Sequence, residues 1–214
     1  VSYYRRFYPK VQKMKELLNM GEVGKPVLIR CQYAHWYNPP PEDPKAWRLN
    51  PTISGGGVLM DAGSHRVDLM VQLLGLPSEV SAFASSEIFH HQVEESMLLM
   101  LTFRDGAQGI ANFNWNTKSR TNDFDIYGTE GKMVASPLEE EPLLVYAGEK
   151  VKKSFSLPRP KIAHLPVIQD FVRALRTGRE PLISGKEGMK TSQVMEAAYL
   201  SAQRGKKVMI EGWG

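Results

Sequence analysis

"EESMLLMLTFRDGAQGIANFNWNT", residues Glu94–Thr117, decides the fold class. Apolar and polar side chains alternate with period two on both sides of Asp105-Gly106, a dipeptide suited to a tight hairpin turn. The stretch therefore predicts two antiparallel strands. Ile110, Phe113 and Trp115 are expected on one side of the second strand, with Asn112, Asn114 and Asn116 on the other. The same period runs upstream through "EVSAFASSEIFH" (79–90) and downstream through "TNDFDIYGTEG" (121–131). Shorter strands are expected over Lys132–Ser136, Leu143–Tyr146 and Val151–Leu157, on either side of Glu139-Glu140-Glu141, which reads as a solvated loop.

Helices flank this sheet. "KVQKMKELLNMG" places Val11, Met14, Leu17 and Leu18 at helical spacing. Lys25–Trp36 reads as a long strand, and the prolines of "YNPPPEDPKAW" force an exposed loop after it. From Ser64, the positions Val67, Leu69, Met70, Leu73 and Leu74 predict a helix stopped by Gly75. Two more helices close the chain. Leu165–Thr177 carries Ile168, Phe171, Val172 and Leu175 on one face, and Lys186–Arg204 ends at Gly205. The expected fold is α+β, a large and mainly antiparallel open sheet with helices on one face. Its bare face would be solvent, a pocket wall or a subunit interface.

Composition narrows the function classes. The 214 residues are 42% hydrophobic and 23% charged, and no apolar run approaches the ~20 residues of a membrane span. A net charge of +4 spread along the chain gives no nucleic-acid signature. The single Cys31 and the absence of a permitted glycosylation acceptor, Asn50-Pro51-Thr52 being blocked by its proline, point to a cytoplasmic protein. The first residue is Val1, followed by the strand-like "VSYYRRF", so the chain reads as a fragment entered midway.

The chemistry gathers in "SGGGVLMDAGSHRVDLM", residues Ser54–Met70. On an α-helix Asp61 and His65, four apart, project to the same side, so the carboxylate can fix the imidazole tautomer while the other nitrogen moves a proton. A helix N-terminus would also disfavour the imidazolium. Gly55, Gly56 and Gly57 let another molecule approach the backbone. The plainer reading makes Asp61 a helix cap and His65 its satisfied partner. No HExxH is present, and His35, His90, His91 and His164 have no metal-site spacing, so no metal is expected. Trp36 and Tyr37 are candidates for stacking on a sugar ring or for anchoring the loop. Asn114 and Asn116 are candidate donors to substrate hydroxyls or members of a wet face.

The stretch "AWRLNPTISGGGVLMDAGSHRVDLMVQLLG" resembles the substrate domain of the glucose-fructose oxidoreductase, inositol dehydrogenase and rhizopine-catabolism family. Trp47, Arg48, Gly55 to Gly57, Leu59, Asp61, Gly63, His65 and Asp68 match its pattern of WR, GGG and LxDxGxHxxD. "DIYGTEGKM" and the closing segment from Asp170 to Val208 are similar to the family's sheet hairpin and last helices. The resemblance implies a NAD- or NADP-dependent dehydrogenase or reductase of sugars or polyols. It casts His65 as the catalytic acid/base and Asp61 as its orienting or substrate-binding partner. It places Trp47 and Arg48 toward the cofactor, and Arg5 and Arg6 in an interdomain segment. It also implies a domain that mediates oligomerisation, and the uncovered face of the broad sheet is the expected homo-oligomer contact.

The chain departs from the family in two respects. No GxGxxG follows a strand and no EKP segment is present, so the nucleotide-binding half lies outside it. Residues 1–8 then read as an exit strand or linker from that half, and 9–214 as the substrate-binding and oligomerisation domain. By itself the chain is not expected to turn over substrate. Two hypotheses follow: the C-terminal part of a sugar or polyol oxidoreductase, or a non-catalytic oligomerisation or carbohydrate-binding module.

Overall fold

The computed structural model describes residues 2–210. In chain order these residues form α1 (Pro9–Asn19), β1 (Pro26–Trp36), the single turn α2 (Pro51–Ser54), α3 (Ser64–Leu74), β2 (Pro77–Ser85) and β3 (Ser96–Phe103). There follow β4 (Gln108–Asn114), β5 (Asn116–Gly128), β6 (Gly131–Val134), β7 (Leu143–Ala147), β8 (Lys150–Phe155), α4 (Leu165–Thr177), α5 (Gly185–Arg204) and β9 (Val208–Met209). The nine strands make one sheet in the order β8-β7-β6-β5-β1-β4-β3-β2-β9. Only β1 with β4 is a parallel pair; every other neighbour is antiparallel. The α+β open sheet expected from the period-two stretches is the observed fold.

Side-chain alternation divides the sheet into a covered and an open face. Ile29, Cys31, Ala111 and Phe113 point under the helices, where Val67, Leu69 and Met70 of α3 and Val194 and Ala198 of α5 complete the core. Ile110 corrects the sequence reading. It is 41% exposed and lies on the open face with Asn112 and Asn114, because it shares their parity rather than that of Phe113 and Trp115. The Asp105-Gly106 turn forms as expected, with Gly106 at φ +91°.

The start of the chain is a second correction. Tyr4–Phe7 is a 3-10 helix, not a strand. Arg6 decides this: its guanidinium donates to both oxygens of Asp68 on α3, at 2.7 to 3.1 Å, and reaches Glu187 of α5 at 3.4 Å. Both partners of the main pair are buried, at 2% and 0% exposure. Arg6 thus holds its segment to this domain, and Arg5 does likewise through Glu139 at 2.6 Å. Glu139 is therefore not part of a freely solvated loop, whereas Glu140 and Glu141 are exposed.

Helix α4 has the expected apolar stripe, but it faces outward. Ile168, Phe171, Val172 and Leu175 are all exposed, and only Ala174 of this helix is buried. Among the described residues no helix is long and apolar enough to cross a membrane.

Candidate functional site

The glycines of the Ser54–Met70 stretch serve the chain's own packing. A Cβ on Gly57 would collide with the Glu94 carbonyl, and one on Gly56 with the Tyr199 hydroxyl. Glu94 accepts from the backbone N–H of Gly57 at 2.8 Å and of Leu59 at 3.0 Å, and Tyr199 donates its hydroxyl to the same carboxylate at 2.8 Å. The molecule expected to approach this backbone closely is therefore the neighbouring β3 approach and α5. Gly57→Ala should lower the urea unfolding free energy by about 1–3 kcal/mol, since backbone rather than a flexible side chain stands in the way. An unchanged midpoint would contradict that contact.

The clamp holds an unusual turn. Leu59–Gly63 is one turn of π-helix, closed by the Gly63 N–H donating to Val58 O at 2.9 Å, and it runs straight into α3. Asp61 stands on this turn and His65 at the start of α3, and among the described residues no hydrogen bond joins the two side chains. Asp61 is exposed and accepts from Arg48 Nε at 3.3 Å. It caps no helix; the Ser64 hydroxyl donates to its backbone carbonyl.

His65 stands in the first turn of α3. Its ring lies edge-on to Tyr3, with centroids 5.9 Å apart, and to Tyr4 at 5.1 Å, and Tyr4 in turn lies 4.1 Å from His164. His65 Nδ1 is buried with no hydrogen-bond partner. Burial, then the charges of Arg5, Arg66 and His164, hold the imidazole at a pKa of about 3. The causes are desolvation first and neighbouring positive charge second.

That shift carries a sign for stability. The unfolded chain protonates this histidine first as pH falls, so the contribution of neutral His65 is complete above about 6.5 and is lost between there and about 3. Urea midpoints should fall more steeply across that window in the wild type than in His65→Leu. Equal slopes would contradict the burial of the neutral ring.

The remaining predicted residues fall into separate places. Trp47 and Arg48 join Asp61, Ser54, Gly56 and Met60 around a recess of about 90 Å3, with the Arg48 guanidinium 4.9 Å over the Trp47 ring. Trp47 also borders an open groove of about 950 Å3 between the proline-rich loop and His90–Gln92. Trp36 and Asn114 do not belong to this cluster. Asn114 lies on the open sheet face, bonded to Ser96 at 2.7 Å and to Asn112 at 2.8 Å. Trp36, at the end of β1, packs edge-on to Phe89 at 4.8 Å. His164 precedes α4 but makes no capping bond. Among the described residues no group of three or more His, Cys, Asp or Glu side chains could hold a metal ion.

The structure adds residues that pattern reading passed over. Arg66, 2% exposed, lies 3.9 Å over the Tyr33 ring and donates to Ala62 O at 2.8 Å and to Asn122 Oδ1 at 2.7 Å. Tyr33, His35 and Tyr37 follow one another along the covered side of β1, with ring centroids 5.9 and 5.7 Å apart. Arg66 Nε, His35 Nδ1 and Thr121 Oγ1 are buried without hydrogen-bond partners. A lone arginine inside an apolar helical stretch was the one signal for this cluster in the sequence.

With fold and site described, the class follows: an α+β domain carrying its Asp and His on the turn that enters a helix across an open sheet. The chain belongs to the family described as the GFO/IDH/MocA C-terminal domain, matched over residues 11–134. It is 25% identical over 224 residues to the uncharacterized oxidoreductase YrbE of Bacillus subtilis, covering 99% of this chain and 62% of that protein. It is 23% identical over 223 residues to the myo-inositol 2-dehydrogenase of Thermotoga maritima, covering 98% and 64%. Among solved structures, levoglucosan dehydrogenase in complex with NADH and levoglucosan superposes with a TM-score of 0.88 at 22% identity, covering 100% of this chain and 66% of that one. The chain spans a little under two thirds of the length of these curated relatives.

Proposed function

We propose that this chain is the substrate-side portion of a NAD- or NADP-dependent oxidoreductase acting on a sugar or polyol, with His65 exchanging the proton of the reacting hydroxyl or carbonyl. The observation that carries this is His65 itself, a half-buried neutral imidazole with an enclosed, unpartnered Nδ1, at the start of α3 four residues after Asp61. A neutral ring is the form that can accept a hydroxyl proton. Nearby Arg5 and Arg66 oppose charging of the ring and would favour ionisation of a substrate hydroxyl placed beside it. Asp61, held by Arg48, positions the substrate by accepting from a second hydroxyl.

A recess of about 90 Å3 is smaller than a typical small-molecule site, so Trp47, Arg48 and Asp61 form one wall of a larger pocket. Trp47, with its exposed ring, and Arg48 are the groups that would border the nicotinamide end of a dinucleotide held by a further domain. The nicotinamide, when bound, supplies the hydride acceptor or donor. Family membership and the names of the relatives support this reading, and the buried, free Cys31 suits a reducing cytoplasm.

The full-length protein should reduce NAD+ or NADP+ in the presence of a sugar or polyol from a broad panel. No reduction with either cofactor would contradict the proposal. We also assign the open face as a homo-oligomer contact, since Phe83, Met100 and Ile110 are exposed together across β2, β3 and β4. Light scattering should then report dimers or larger species at micromolar concentration. A monomer would contradict the assignment.

A further inference from the structure

We propose that the substrate carries an anionic group, received by Arg120 and the unpartnered His35 above the buried Arg66; this rests on the oxidoreductase reading. The charge balance of the site motivates it. The side chains whose charges act on Tyr33, His35 and His65 are Arg5, Arg66, Arg120, Asp61 and His164. Arg5 is paired with Glu139, and Asp61 with Arg48. Arg66 and Arg120 are left with no carboxylate partner among the described residues.

Arg66 is the more telling of the two. A buried guanidinium without a counter-charge is costly, and its bonds to a carbonyl and an amide supply no negative charge. Arg120 is exposed in the stretch of β5 where pairing with β1 lapses between Asn116 and Thr121, so its side chain is available to a ligand. His35 Nδ1, buried and unsatisfied, lies on the same side of β1 as Tyr33, whose partner on β5, Asn122, accepts from Arg66. An anion placed there would balance the surplus charge and satisfy donors that a hydroxyl alone leaves over. A sugar or polyol carboxylate and a sugar phosphate share this chemistry.

The test uses the full-length protein with NAD+ present, titrated calorimetrically with D-glucose, D-galactose, D-glucuronate, D-galacturonate and D-glucose 6-phosphate. At least one acidic sugar is expected to bind about tenfold or more tightly than its neutral counterpart, with an advantage that shrinks as salt rises. Uronates ahead identify the carboxylate, and the 6-phosphate ahead identifies the phosphate. Arg120→Gln, at an exposed position that does not threaten folding, should reduce the acid-to-neutral affinity ratio toward one. Neutral sugars that bind as tightly as every acid, or an acid advantage that survives in Arg120→Gln, would overturn the inference while leaving the oxidoreductase reading in place. No binding by any of these sugars, together with no cofactor reduction across the wider panel, would overturn both.

Discussion

Asp68→Ala should cost about 3–5 kcal/mol of folding free energy, because it leaves the Arg6 guanidinium buried and uncompensated. Asp68 lies inside the sequence motif that carries Asp61 and His65, and a reading by motif alone would place it among the functional residues. Its neighbours say otherwise. It accepts from Arg6 and from the Thr191 hydroxyl at 3.1 Å, so one carboxylate joins the N-terminal segment, α3 and α5. Replacing both members of the pair with apolar residues of similar size, Arg6→Met with Asp68→Leu, should recover most of the loss. Urea unfolding of the single and double variants checks this. Equal stability of Asp68→Ala and the wild type would remove the ion pair from the account of the fold.

The second large effect is on activity. His65→Ala in the full-length protein should lower turnover by about 10²-fold or more, the usual contribution of a positioned general acid or base. The loss should fall on the chemical step rather than on substrate affinity, because the ring meets Tyr3 and Tyr4 on one side and leaves the recognition of hydroxyls to Asp61. Asp61→Asn should instead raise KM more than it lowers kcat. Unchanged turnover in His65→Ala would take this residue out of the mechanism.

Much of the scaffold was legible because period and punctuation are local. Alternation marked the strands, Asp105-Gly106 the hairpin, and Gly75, Gly178 and Gly205 the ends of the helices. What escaped depended on contacts distant in sequence. The β-forming residues of "YYRRF" are overruled by an ion pair between Arg6 and Asp68, 62 positions apart. A π-turn cannot be told from an α-turn over five residues of sequence, so the wider turn that carries Asp61 had no signal there. The glycines announced a close approach but not by what; the answer, Glu94 and Tyr199, comes from two other elements. Trp36 and Asn114 were grouped with the site by residue type, whereas strand parity sends Asn114 to the opposite face. Arg66 was hidden in plain view within an apolar helix, where a charged side chain should have raised the question of what it faces.

The central claim, hydride transfer with proton exchange at His65, is tested most directly by isotope tracing. The full-length protein is given an accepted polyol bearing deuterium on the carbon of its reacting hydroxyl, and the reduced nicotinamide is analysed by mass spectrometry. Deuterium in the nicotinamide ring, with its rate of appearance falling about 10²-fold in His65→Ala, is the predicted result. Reduced cofactor without label, or label arriving as quickly in the variant, would contradict it.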